Sequence, residues 1–256
     1  MAGEESLRTR FRASLWDPFV RAIGRYGLIE AGDSVAVCVS GGKDSMLLAK
    51  LMQLYRPVSP VPFELRFLSM DPGYSPANRR QVEANAARLG IPLQIFGTDV
   101  FEVANRQMKN PCFLCAKMRR GHLYSEAQKL GCNKIALGHH FNDVIETTLM
   151  AMLYGAQLQA MPPRLTAANF EGMTLIRPLY LVREDDIIAW RDAEALTFLQ
   201  CACRLTEGTA DGSHDSKRAE VKRLIRRLRE EDPEVERHIF DSLHRVDAGS
   251  FPQGGT

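Results

Sequence analysis

The chain has 256 residues, of which 45% are apolar and 25% charged, and its formal net charge is +2. These proportions are typical of globular proteins. No apolar run approaches the roughly 20 residues of a membrane span, and the amino-terminal segment lacks the layout of a secretory signal. We therefore expect a cytoplasmic protein that does not associate with membranes.

The first predicted elements are an amphipathic helix over about residues 5–26 and a strand over residues 35–39, which small and β-branched residues indicate is buried on both faces. The strand leads into a polar loop of six residues, Ser40, Gly41, Gly42, Lys43, Asp44 and Ser45. A helix follows, with Asp44 or Ser45 predicted as its cap. Glycines, a lysine and the free N–H groups of a helix start together form an anion site.

Strands and helices alternate along the next 150 or so residues, as is typical of parallel βαβ units. We predict strands at 63–70, 91–96, 134–137 and 174–176, and helices at 76–89, 141–154 and 184–196. In such sheets ligands bind beyond the carboxyl ends of the strands. The polar loop, Met70 and the run Gly138, His139 and His140 are therefore expected to converge on one nucleotide-binding cleft.

The pattern predicts an α/β fold with a doubly wound parallel sheet, a leading helix and a helical carboxyl-terminal extension. The expected division is a leading helix packed on the core (1–32), a nucleotide-binding domain (33–200), a cysteine segment with basic helices (201–247) and a tail (248–256).

A basic helix is predicted over residues 217–229, where seven of the thirteen residues are lysine or arginine. Its apolar stripe consists of Val221, Leu224, Ile225 and Leu228. A charge run of this kind is usually a solvated face. Contact with the phosphates of a nucleic acid is the alternative, and the motifs described next favour it.

Six cysteines in a chain of this class argue against a disulfide framework. Four of them form two close pairs, Cys112 with Cys115 and Cys201 with Cys203. A C-x-x-C pair occurs in redox dithiols, zinc sites and iron–sulfur sites, and the topology disfavours the redox type. The spacing alone leaves zinc and iron–sulfur open. The other two, Cys38 and Cys132, are predicted to be small buried hydrophobes.

The polar loop resembles the PP-loop of ATP pyrophosphatases, which split ATP between its α and β phosphates; an ordinary βα turn is the alternative. Further motifs are Pro-Cys-x-Leu-Cys, Arg-Arg-Gly, Leu-Gly-His-His-x-x-Asp, Met-Pro-Pro-Arg and Ile-Arg-Pro-Leu. Together with the loop they are similar to the tRNA 2-thiocytidine synthetases, which thiolate a cytidine at position 32 of the anticodon loop. The resemblance runs from the leading helix to about Val246.

This resemblance implies ATP, Mg²⁺ and a 4Fe-4S cluster as cofactors and tRNA as the partner. The sulfur donor would be a cysteine desulfurase or inorganic sulfide. Cys112, Cys115 and Cys203 would hold the cluster with one iron open. Cys201 remains the alternative third ligand, because relatives carry Pro-Cys-x-x-Cys where this chain has Cys-x-Cys.

The resemblance also implies that the polar loop holds pyrophosphate while the cytidine oxygen attacks ATP, and that Asp44 or Asp143 binds Mg²⁺. The remaining nucleotide contacts would be Met70, Gly138, His139 and His140. Asp143, Arg119 and Cys203 would act in catalysis. RNA contacts would come from Arg120, Arg164, Lys222, Arg226 and Arg227. The alternative interpretations are structural. Arg164 would be part of a rigid connector, Arg120 would pair with a surface acid, and His139 and His140 would be interior imidazoles.

Two alternative functions remain open. One is another PP-loop tRNA-modifying enzyme, either a uridine 2-thiolase, which the missing Cys/His ribbons disfavour, or a lysidine synthetase, which the cysteine pairs disfavour. The other is a non-catalytic, metal-stabilised RNA-binding module, which would release neither AMP nor pyrophosphate. A homodimer is also left open.

Overall fold

The computed structural model describes residues 3–98, 100, 111–198 and 217–250, with the backbone alone at 111–117 and 248. The chain divides into two compact units. The first comprises Met1–His140 with Pro162–Asp211, and the second comprises Phe141–Met161 with Gly212–Thr256. The predicted domain boundaries stay predictions.

The first unit contains a six-stranded sheet. Its strands are β1 (Ser34–Cys38), β2 (Glu64–Asp71), β3 (Leu93–Gly97), β4 (Lys134–Ala136), β5 (Arg164–Thr166) and β6 (Thr174–Ile176). The strand order is β3-β2-β1-β4-β6-β5, and all pairs are parallel except β5 with β6. The order reverses between β1 and β4, which is the switch point where open sheets bind ligands. The predicted α/β fold with a doubly wound sheet is confirmed.

The helices follow the predicted alternation. They are α1 (Glu4–Arg8), α2 (Asp17–Arg25), α3 (Lys43–Tyr55), α4 (Pro76–Leu89), α5 (Pro111–Lys129), α6 (Phe141–Gly155), α7 (Glu184–Ala193), α8 (Lys217–Glu231) and α9 (Val235–Ser242), with short 3-10 turns at Arg56–Val58 and Ala248–Ser250. The helices α6, α8 and α9 belong to the second unit and the others to the first. Within the described ranges, no helix has both the length and the hydropathy needed to cross a membrane.

Strand β1 is buried on both faces, as its unbroken apolar run predicts. Val35, Val37 and Val39 contribute to one hydrophobic cluster, and Ala36 and Cys38 contribute to another. None of the five is more than 6% exposed. Because successive side chains of a strand point to opposite faces, two separate cores hold the strand that leads into the polar loop.

The predicted leading helix over residues 5–26 is wrong in its continuity. A π-helical turn, Arg12–Trp16, separates α1 from α2. Pro18 lies in the first turn of α2 and has no N–H, so regular helical hydrogen bonding cannot run through this position. The predicted apolar stripe is nevertheless confirmed, since Phe11, Leu15, Phe19 and Ile23 are all buried.

In the second unit, α6, α8 and α9 contact one another. Each contributes buried apolar side chains: Val144 and Ile145 from α6, Val221 and Ile225 from α8, and Phe240 from α9. Two of the four residues of the apolar stripe predicted for the basic helix, Val221 and Ile225, are therefore buried. Leu228 is half-buried, and 36% of the surface of Leu224 remains exposed.

Candidate active site

The polar loop after β1 has a backbone conformation that its glycines permit. Gly41 has a φ of 85°, in the left-handed region that glycine adopts readily, and Gly42 is extended just before α3. The Ser45 Oγ accepts hydrogen bonds from the N–H and the hydroxyl of Ser40, both at 3.1 Å. It donates to the carbonyl of Gly42 at 3.0 Å. Ser45 thus closes the loop around the start of the helix.

The cap residue of α3 is Gly42, which has no side chain to accept a hydrogen bond from the N–H groups of the first turn. The prediction of Asp44 or Ser45 as the cap is wrong, because the cap lies two residues before Asp44 and Ser45 is used in loop closure. Free N–H groups and the positive end of the helix dipole attract anions. The predicted loop residues therefore surround a site suited to phosphate.

Lys43 lies beside this helix start. Its Nζ is 3.1 Å from the Oδ2 of Asp44 and 3.0 Å from the Oε1 of Glu184, the first residue of α7. Burial lowers the pKa of Lys43, but the two carboxylates outweigh it and the pKa is raised, so the ammonium is charged at neutral pH. Glu184 was not predicted as a site residue. It is 141 positions from Lys43, and no local pattern connects them.

The loop after β4 packs against the same helix start. A Cβ added to Gly138 would lie 3.0 Å from the carbonyl carbon of Asp44 and the backbone nitrogen of Ser45. His139 is half-buried, and the Nε2 of the buried His140 is 3.8 Å from the Oδ1 of Asp44. The two loops therefore meet at the switch point of the sheet. The roles of these residues in nucleotide binding stay predictions.

The turn after β2 also reaches the polar loop. Met70 is buried near the strand end, and the Oη of Tyr74 donates to the carbonyl of Ser40 at 3.1 Å. Burial raises the pKa of Tyr74, against the nearby positive charge of Arg119 and with a smaller contribution from Asp71. Arg119, on α5, therefore acts electrostatically on a residue that contacts the loop. Tyr74 was not predicted from the sequence, because nothing in its local pattern distinguishes it from an ordinary turn aromatic.

Asp143 lies in the first turn of α6, in the second unit. Its Oδ1 is 3.0 Å from the Nη2 of Arg218 in α8, and the Nε of Arg218 is 2.9 Å from the Oε2 of Glu146. Burial raises the pKa of Glu146, although Arg218 opposes it. The sequence did not indicate Arg218 or Glu146 as site residues. The proposed Mg²⁺ contact of Asp143 stays a prediction.

The predicted cluster ligands are only partly described. Cys112 and Cys115 lie one helical turn apart in α5, where the structure gives the backbone alone, and Cys201 and Cys203 lie outside the described residues. Among the side chains that are described, no group of three or more His, Cys, Asp or Glu could hold a metal ion. Cys38 and Cys132 are buried free thiols, as predicted. Burial raises the pKa of Cys38 to about 12, which makes it unreactive.

The predicted RNA contacts fall into two groups. In the first unit, Arg120 is exposed on α5. Arg164 begins β5, and its Nη1 donates to the carbonyl of Gly27 and to the Oε1 of Glu30. Its charge is therefore already engaged with a carboxylate. In the second unit, α8 exposes Lys222, Arg226 and Arg227, as predicted. Their role in RNA binding stays a prediction.

Comparison with known proteins identifies relatives over most of the chain. The sequence matches the PP-loop domain family over residues 18–203. It is 37% identical over 229 residues to a tRNA-cytidine(32) 2-sulfurtransferase from Syntrophotalea carbinolica, covering 88% of this chain and 86% of the relative. The enzyme of the same name from Geobacter sulfurreducens is 39% identical over 231 residues, covering 88% and 87%.

Among solved structures, the chain is similar in fold to the U34-tRNA thiolase NcsA from Methanococcus maripaludis with its 4Fe-4S cluster. The TM-score is 0.69, and the match covers 90% of this chain and 77% of that chain. The sequence identity is 22%, so this likeness concerns the fold.

Proposed function

The chain belongs to the tRNA-cytidine(32) 2-sulfurtransferase family of PP-loop enzymes, and we propose that it replaces O2 of a tRNA cytidine with sulfur in two steps that consume ATP. In the first step, cytidine O2 attacks the α-phosphorus of ATP, and pyrophosphate leaves with the bridging oxygen. In the second, sulfide attacks C2 of the adenylated base, and AMP leaves with the former O2. Sulfur keeps the oxidation state of sulfide throughout, so the exchange needs no oxidant.

The observation that carries this proposal is the anion site at the start of α3. The uncapped N–H groups behind Gly41 and Gly42 and the Lys43 ammonium offset the charge that develops on departing pyrophosphate. Phosphate oxygens would replace the Glu184 carboxylate as the partner of Lys43. Either Asp44 or Asp143 is the proposed Mg²⁺ ligand, because Mg²⁺ binds through one or two carboxylates together with substrate phosphates.

The sulfur half of the reaction rests on the cysteines. We assign Cys112, Cys115 and Cys203 as holders of a 4Fe-4S cluster, with Cys201 as the alternative to Cys203. Thiolates are the usual donors to such clusters, and NcsA carries one. With three protein ligands, the cluster would supply one open iron position for sulfide. Inorganic sulfide would serve directly as the sulfur source, whereas a cysteine desulfurase would supply persulfide sulfur that a thiol reductant must first reduce by two electrons to sulfide.

The tRNA is proposed to bind through the exposed basic face of α8. Lys222, Arg226 and Arg227 lie on this face, and cations at such positions release counterions from nucleic-acid phosphates. The target cytidine must leave its loop stack to react, as bases do in other enzymes that modify them. The cytoplasmic location and a homodimer stay predictions.

The proposed reaction is tested with protein purified without oxygen. Incubation with ATP, Mg²⁺, sulfide and an unmodified tRNA containing C32 is expected to yield AMP, pyrophosphate and 2-thiocytidine in the nuclease digest, and omission of any one substrate to abolish the thionucleoside. Formation of 2-thiouridine would indicate a uridine thiolase. Binding of tRNA without AMP release would indicate an RNA-binding module.

The cluster assignment has its own test in paired cysteine variants. Cys112→Ala is expected to lose bound iron, the visible absorption of the cluster and thiolation activity. Cys132→Ala replaces a buried free thiol and is expected to keep all three. Full iron content in the Cys112 variant, or zinc in place of iron in the parent protein, would contradict the assignment.

A further inference from the structure

The turn after β2 is fixed from several directions by one buried residue. Asp71 ends the strand and is 8% exposed. Its Oδ1 accepts the N–H groups of Gly73 and Tyr74 at 2.9 and 2.7 Å, and its Oδ2 is 3.1 Å from the Nη1 of Arg79 in α4. Its carbonyl accepts the N–H of Thr98, just after β3, at 2.8 Å. Asp71 therefore fixes the backbone of Tyr74 relative to the carboxyl ends of β2 and β3.

The ring and the hydroxyl of Tyr74 contact different parts of the described structure. Its ring packs against the larger hydrophobic cluster, while its hydroxyl donates to the carbonyl of Ser40. Ser40 is the first residue of the polar loop, and its N–H and hydroxyl are both bonded to Ser45. The first residue of the loop is thus held on one side by Ser45 of α3 and on the other side by Tyr74, in the turn after β2.

We propose that Tyr74 is a positioning residue for ATP, whose hydroxyl holds the PP-loop in its phosphate-binding conformation before the nucleotide arrives. This proposal rests on the proposed function of the loop. Without the hydroxyl, the loop samples other conformations, and the free energy needed to order it is drawn from ATP binding. Since the same loop conformation serves the bound substrate and the transition state, loss of the bond acts on affinity and leaves the chemical step unchanged.

The test is Tyr74→Phe, which keeps the ring and removes the hydrogen bond. A typical hydrogen bond contributes about 0.5–1.5 kcal/mol, which corresponds to an increase of about 2- to 12-fold in the Kd and KM for ATP. We expect this increase with kcat within about twofold of the parent value. Calorimetry should give a similar loss for pyrophosphate and none for AMP, because the loop is proposed to hold the departing phosphates only.

Tyr55→Phe is the matched control. Tyr55 is a buried tyrosine at the end of α3, in contact with Phe19 and Phe63, and its variant is expected to bind ATP as the parent does. A Tyr74→Phe protein with parental affinity for ATP and pyrophosphate would overturn the positioning role, as would equal losses for AMP and pyrophosphate. A parent protein that binds neither ATP nor pyrophosphate would instead overturn the proposed function of the loop.

Discussion

Replacing Gly138 by alanine is expected to separate the loop after β4 from the first turn of α3. The added Cβ would lie 3.0 Å from the Asp44 carbonyl carbon and the Ser45 nitrogen, and 3.2 Å from the Asp44 carbonyl oxygen. Real Cβ contacts are rarely this short, so the two segments must move apart by a few tenths of an ångström. All three neighbours are backbone atoms, so no side chain can rotate away to relieve the contact.

The size of the effect follows from that displacement. Inserting a carbon into a tightly packed site costs about 1–3 kcal/mol, which sets the expected loss in the free energy of unfolding. A shift of about 1 Å in groups that position a substrate lowers the rate by about 100-fold, so a shift of a few tenths of an ångström should lower it less. We expect kcat/KM for ATP, measured as tRNA-dependent AMP release, to fall by about 3- to 10-fold.

Gly24→Ala is the control for this substitution. Gly24 lies within α2, and nothing is within 4 Å of its added Cβ. Alanine is favoured over glycine within a helix by about 0.5–1 kcal/mol, so the control should be slightly more stable and equally active. A Gly138→Ala protein with parental kcat/KM and parental stability would refute the reasoning, because the backbone contact would then impose no restraint.

Two further predictions concern charge. Burial raises the pKa of Asp33, but the Lys134 ammonium at 2.6 Å and further hydrogen bonds outweigh it, and the pKa lies below 3.8. The carboxylate therefore stabilises the fold above pH 3.8, and this contribution is lost as the pH falls through the lowered pKa. Asp33→Asn should lower the free energy of urea unfolding at neutral pH by about 1.5–3 kcal/mol, because Lys134 keeps Glu30 as a second carboxylate partner at 3.2 Å. The difference from the parent should shrink in acid, and a pH-independent difference would be contrary to this. Exchanging Arg226 and Arg227 for Glu should weaken tRNA binding most at low salt and flatten its salt dependence, whereas an unchanged slope would exclude phosphate contact by these side chains.

The sequence predicts the sheet well because its strands carry local signals. Residues 35–39 are apolar without interruption since both faces are buried, and α4 has the predicted bounds because strong signals enclose it. Ser75 accepts the N–H of Asn78 at its start, and Gly90 ends it with a φ of 67°. The loop glycines and Lys43 are equally visible, because the chemistry of an anion site demands them.

Individual hydrogen bonds and ion pairs between residues that are distant in sequence were not predicted. All three residues of strand β5 are exposed, so no apolar pattern marks it in the sequence. It is stabilised by its antiparallel pairing with β6. Arg164 appeared free to contact RNA, yet its guanidinium pairs with Glu30, which lies 134 positions away. The partnership of Lys43 with Glu184 arises in the same way, from the packing of helices that the local pattern does not describe.

The second unit is assembled from stretches of chain that are synthesised far apart in time. Its helix α6 ends at Gly155, and its partner α8 begins at Lys217, with residues of the first unit between them. At about 5–20 residues per second, translation supplies α8 roughly 3–12 s after α6 is complete. Throughout that interval Val144 and Ile145 lack the helices that later pack on α6. A nascent chain paused in this interval therefore exposes the apolar face of α6 without its partner helices, a state suited to capture by a chaperone.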